Sequence, residues 1–147
     1  MRFLLISAFI VINFLIVSTN RLYAGADDTS SQQVPTEYAN KQIPKGWLND
    51  PKVIEDGRAI FQGEKYGKDV SKNKQVNCAK CHGKDGKPIV KRVADLSDKK
   101  VIAKMSDSFM FWKISEGIPQ KKMVAYKDKL TEDERWSVIA YIRTIPK

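Results

Sequence analysis

The sequence predicts an all-α domain with long loops. Three observations lead there. Helix-capping signals stand in front of the apolar segments, apolar residues recur at helical spacing, and no stretch alternates apolar and polar residues over the length of a strand. The chain has 147 residues, of which 29% are charged and 42% hydrophobic. That is room for one domain and an appendage, with the composition of a globular chain and not a disordered one.

Residues 1–26 read as a secretory signal peptide. Arg2 supplies the positive start, Phe3 to Val17 an apolar run, and Ala24-Gly25-Ala26 a small-residue cleavage motif. The run is about 15 residues long, short of the roughly 20 that span a bilayer. Cleavage removes Arg2 and Arg21 and no acid, lowering the formal net charge from +9 to +7. Residues 27–45 are polar, hold Pro35 and Pro44, and read as a flexible arm. The folded domain is expected over residues 46–147.

Asp50-Pro51 is the first helix start, an acceptor at the N-cap followed by proline at the first helical position. Val53, Ile54, Ile60 and Phe61 follow, and the helix is expected to end by Gly63. Residues 62–77 are polar and lysine-rich and read as loop, as does most of Gly83 to Asp98. Ser97 or Asp98 caps a short helix through Val101, Ile102 and Met105. Ser106-Asp107 starts another, carrying Phe109, Met110, Trp112 and Ile114 and stopped by Gly117. Thr131 and Glu134 form a capping box for the last helix, Glu132 to about Thr144, which Pro146 ends. Short helices with so much loop bury little apolar surface against the entropy of the chain. A large flat apolar cofactor would fill the middle.

The side chains able to bind such a group are few. His82 is the single histidine, and Cys78 and Cys81 are the only cysteines. A bis-histidine metal site and a four-thiolate zinc site are therefore impossible within one chain. Cys78-Ala79-Lys80-Cys81-His82 is the C-x-x-C-H pattern of c-type haem attachment. On one turn of helix the two thiols reach the two vinyl groups of one haem, and the adjacent imidazole lies under the iron. A thioredoxin-like site needs a preceding strand in a βαβ setting, absent here. A disulfide across two residues would close a loop too short to stabilise much.

The sixth iron ligand separates electron transfer from ligand chemistry. Met105 and Met110 fall on expected helices, where methionine serves as core filling. Met123 falls in a loop after Gly117-Ile118-Pro119, from which its sulfur can turn to the iron. A His/Met pair raises the potential and closes the iron to small ligands. Lys121 and Lys122 in the same loop are substitute ligands when deprotonated. Phe109, Trp112 and Tyr126 are candidates for the pocket wall, or ordinary core aromatics.

With these residues in place, the chain resembles the class I cytochromes c, specifically the small single-haem bacterial kind, over roughly residues 50–147. The matching stretches are GRAIF, CAKCHGKDGK, FWKISEGIP, Met123 and LTEDERWSVIAYIRTI. The resemblance implies three to five short helices wrapped around one covalent haem c. It implies thioethers at Cys78 and Cys81, His82 as proximal and Met123 as distal ligand. It also implies a crossing of the first and last helices at Gly57, with Phe61 and Tyr141 nearby, and a proline carbonyl orienting the histidine, for which Pro88 is the candidate. Two stretches depart from the family pattern: the long loop between Phe61 and Cys78, and Val124 where relatives often carry proline.

Residues 62–92 hold nine basic side chains against three acids, and the Met123 loop adds Lys121, Lys122, Lys127 and Lys129. In the family these regions flank the exposed haem edge, where a basic collar would steer an acidic redox protein. The expected function is therefore one-electron transfer by a soluble periplasmic carrier, not an enzyme, with no nucleic-acid partner. Two alternatives stand beside it. One is a gas sensor or peroxidase-like enzyme with an open sixth site, and the other a cytochrome subunit bound tightly to a larger oxidoreductase.

Overall fold

The computed structural model describes residues 33–68, 70–72 and 75–146. The signal-peptide reading of residues 1–26 lies outside the described residues. Those described form an all-α fold: α1 (Thr36–Ala39), α2 (Pro51–Phe61), α3 (Ala79–His82), α4 (Lys99–Ala103), α5 (Asp107–Glu116) and α6 (Glu132–Thr144). Short 3-10 turns occupy Trp47–Asn49 and Pro119–Lys121. Extended pairing among the described residues is limited to one antiparallel bridge, Ile118 with Met123.

Local chemistry sets the helix ends. Asp50 Oδ1 accepts from the amides of Lys52 (2.9 Å) and Val53 (3.3 Å), with Pro51 filling a position that needs no donor. Asp98 caps α4 and Ser106 caps α5 in the same way. At α6 the box is complete: Thr131 Oγ1 accepts from Glu134 N (3.2 Å) and Glu134 Oε2 from Thr131 N (3.0 Å). Gly117 at φ 71° ends α5 in a conformation that L side chains avoid.

The frame is the crossing of α2 on α6, supported by α5 against α6. Ile60, Phe61, Val138 and Ile139 meet there with almost no exposure. Burying a side chain of that size contributes about 1.5–3 kcal/mol. Gly57 lies at the crossing, and Phe61 meets Tyr141 edge-on at 5.3 Å between ring centroids. On α5, Phe111 stacks on Trp136 of α6 at 4.2 Å.

One expectation is corrected. Residues 27–45 were expected to form a flexible arm, but residues 33–45 lie docked. Tyr38, Ile43 and Trp47 pack half-buried on the core, and Lys41 bonds to Glu132 at 2.6 Å. The domain thus begins before Gly46. Its apolar anchors are too few and too irregularly spaced to show a period, because the segment crosses the surface as a strap. The described residues of the 62–77 segment form the expected loop, and that loop is anchored. Val76 is fully buried and its amide donates to the Tyr66 carbonyl (2.9 Å), while Tyr66 and Lys65 both donate to Glu134.

Candidate functional site

The short helix α3 assembles the three residues of the attachment motif. Cys81 N and His82 N both donate to the Cys78 carbonyl, at 3.1 and 3.0 Å, so one tight turn follows Cys78. Side chains three and four positions apart share a helix face. Cys78, Cys81 and His82 therefore project together. Both thiols are free, Cys78 half-buried and Cys81 exposed. Burial pushes the Cys78 thiol up to about 12, which keeps it protonated at neutral pH and unlike the low-pKa thiolate of a redox C-x-x-C.

His82 is oriented from behind. Its Nδ1 lies 3.2 Å from the Ala94 carbonyl oxygen. A carbonyl only accepts, so Nδ1 carries the proton and Nε2 presents its lone pair. Burial pushes the imidazole below its usual range, while the Ala94 bond acts the other way, so the neutral, ligating form is favoured. Phe61 packs at 6.4 Å from the imidazole. The orienting carbonyl belongs to Ala94, not to Pro88, the proline expected there. The chain turns at Gly83 and Gly86, Ile89 N donates to the Cys81 carbonyl, and Leu96 N donates to the Gly86 carbonyl. That path carries the chain past Pro88 before it returns beneath His82. Nothing in the sequence marks Ala94, because any residue offers a backbone carbonyl.

The Met123 loop is closed on itself. Ile118 and Met123 exchange two backbone bonds of 2.8 and 3.1 Å around the Pro119–Lys121 turn, and Lys122 takes a left-handed conformation (φ 59°). Met123 is half-buried against the same core cluster as Cys78. Tyr126, from the end of this loop, comes near both cysteines. Its hydroxyl is shifted upward, first by burial and then by the two thiols. Trp112 lies in a shallow cleft on the Met123 loop with Gly117, Ile118, Pro119 and Gln120, and Lys113 lies 3.5 Å over its ring. Phe109 meets it edge-on and packs on the core.

These residues fit a covalent haem. Two free thiols and a lone-pair-bearing imidazole share one turn with Phe61 and Tyr126 beside it, and a half-buried thioether is held by a closed loop. An open cleft of about 600 Å³ runs elsewhere, lined by Gly63 to Lys68, Val70, Gln75, Asn77 and Lys80, and contains none of these ligands. Among the described residues no cluster of three or more His, Cys, Asp or Glu could hold a bare metal ion. No described helix is long and apolar enough to cross a membrane.

The basic collar is partly spent within the molecule. Lys65 pairs with Glu134 (2.9 Å), Lys127 with Glu116 (3.0 Å), and Lys129 reaches the Gln75 carbonyl (3.5 Å). Lys80, Lys84, Lys87, Lys91 and Arg92 stand exposed around and after the attachment turn, as do Lys121 and Lys122.

Comparison with known proteins shows the family. Residues 66–142, just over half of the chain, match the family model described as cytochrome c oxidase, cbb3-type, subunit III. Among solved structures, the chain is similar to the KustC0563 c-type cytochrome, with 32% identity, a TM-score of 0.44, and coverage of 48% of this chain and 88% of that one. No curated protein sequence matches the chain.

Proposed function

As a member of the c-type cytochrome family, the chain carries covalently bound haem c and serves haem-based electron transfer; from that premise we propose that it is a soluble periplasmic electron carrier and not an enzyme. The bound haem supplies a one-electron Fe(III)/Fe(II) couple. In this reading Cys78 and Cys81 hold it through thioethers, and His82 offers Nε2 to the iron with its ring held by Ala94. Met123 would offer its sulfur as the second ligand to the iron. A thioether ligand favours the reduced state and closes the iron to small molecules, as a carrier requires. The exposed cations beside the attachment turn would steer an acidic redox partner.

The observation that carries the carrier reading is the closed Ile118–Met123 pairing, which holds a half-buried thioether in a loop beside residues that approach the cysteines. The test is the absorption spectrum of the haem-loaded protein, oxidised and reduced, with and without carbon monoxide. A low-spin spectrum with a far-red sulfur-to-iron band, unchanged by carbon monoxide, supports it. A high-spin or carbon monoxide-sensitive spectrum would transfer the assignment to a sensor or peroxidase-like enzyme.

The family description also favours a second reading, a cytochrome subunit held in a larger oxidoreductase. Co-purification separates the two. Steering contacts dissolve at high salt, whereas a subunit interface persists.

A further inference from the structure

Glu116 closes the base of the Met123 loop. It is the last residue of α5, and the chain leaves it through Gly117 towards Met123. On the return, Lys127 N donates to the Ser115 carbonyl (3.2 Å), and the Lys127 ammonium meets both Glu116 carboxylate oxygens at 3.0 and 3.1 Å. One carboxylate thus joins the two ends of the loop.

A third donor reaches that carboxylate from outside the loop. The Tyr38 hydroxyl, on α1 of the docked strap, donates to Glu116 Oε1 at 2.5 Å. The strap is itself held to α5 and α6. The Tyr38 ring lies 6.2 Å from Phe111, and Lys41 bonds to Glu132 at the start of α6. Burial and Glu116 push the Tyr38 hydroxyl up to about 12, so it donates throughout the neutral range.

We propose that the N-terminal strap positions the Met123 loop, with Tyr38 and Glu116 as positioning residues that keep Met123 at the iron and exclude outside ligands. The proposal rests on the reading of Met123 as distal ligand. If the loop swings outward, Lys127 must leave Glu116 or draw the carboxylate with it, and Tyr38 holds that carboxylate against α5. Loss of the hydroxyl therefore raises the population of the open loop. An outside ligand binds in proportion to that population.

The test uses the full haem-loaded ferric protein with imidazole as probe. The wild type should show the far-red band and bind imidazole weakly. Tyr38→Phe should bind it about tenfold more tightly and show a weaker band, the factor expected when a hydrogen bond to a charged acceptor is lost. Tyr66→Phe removes a similar tyrosine-to-carboxylate bond, at Glu134, and should leave imidazole affinity unchanged. If Tyr38→Phe does not fold, Lys127→Gln, on the exposed side of the same carboxylate, should give the same tightening. Unchanged affinity in Tyr38→Phe, or in Lys127→Gln where that stands in, would overturn the proposal while leaving Met123 as ligand. Equal tightening in Tyr66→Phe would also overturn it, by showing general loosening. A wild type without the band would overturn the Met123 reading itself, and the proposal with it.

Discussion

Gly57 on α2 faces the carbonyl of Ser137 on α6 so closely that a β-carbon at Gly57 would lie 2.0 Å from that oxygen. The obstacle is backbone, which cannot turn aside as a side chain can. Gly57→Ala should force the two helices apart and cost about 1–3 kcal/mol, the usual penalty of overpacking. Chemical denaturation of the haem-loaded protein measures it. A loss below about 0.5 kcal/mol would mean that the crossing yields without strain.

Arg143 joins three acceptors across a chain reversal. It donates to the Ile102 carbonyl (2.9 Å), the Met105 carbonyl (2.6 Å) and Asp107 Oδ1 (2.6 Å), tying the end of α4 and the start of α5 to α6. Arg143→Ala should cost about 2–4 kcal/mol, because the two carbonyls and the carboxylate lose their donor together. Arg143→Lys should recover only a small part, since a single ammonium cannot span the three directions. Full recovery by lysine in an unfolding experiment would show that charge alone matters there.

Glu134 anchors the inserted 62–77 loop to α6, accepting from Tyr66, Lys65 and the Thr131 amide. Burial pushes its pKa up, but these donors outweigh burial and hold the carboxyl below its usual range. A carboxyl depressed in the folded state stabilises the fold above its unfolded pKa, and that stability is lost as pH falls through the folded value. Glu134→Gln should therefore be less stable than wild type by about 1–2 kcal/mol at neutral pH. The difference should shrink below about pH 4. A gap that stays constant with pH would mean that the carboxylate charge is not what holds the loop.

Pro88→Ala should leave the spectrum and the reduction potential unchanged, because the carbonyl behind His82 is that of Ala94. Gly86→Ala should not. Gly86 has φ 82°, its carbonyl accepts from Leu96 N, and a β-carbon there would lie 3.1 Å from the Leu96 backbone. Displacing this segment weakens the bond that enriches the imidazole, so the potential should rise. Potentiometric titration of both variants decides it, and a shift in Pro88→Ala alone would reverse the assignment.

Much of the helical frame was legible in the sequence. Asp50, Ser106, Thr131 and Glu134 mark starts that the structure keeps, since a cap bonds to amides two or three positions away and needs no distant partner. The close approach at Gly57 and the Phe61–Tyr141 contact follow the resemblance to class I cytochromes c, and both are present. Pro88 failed because a carbonyl ligand has no side-chain signature. The arm before Gly46 failed because Tyr38 and Ile43 dock without a helical period.

The sequence by itself determined the attachment turn, the starts of α2, α4, α5 and α6, and the family, since each depends on residues a few positions apart. The tertiary structure alone decided which distant side chains meet. Tyr38 meets Glu116 across 78 positions, Lys41 meets Glu132 across 91, and Tyr66 meets Glu134 across 68. Contacts of that separation leave no local pattern. They form only when α2 and α6 cross and bring segments distant in sequence together.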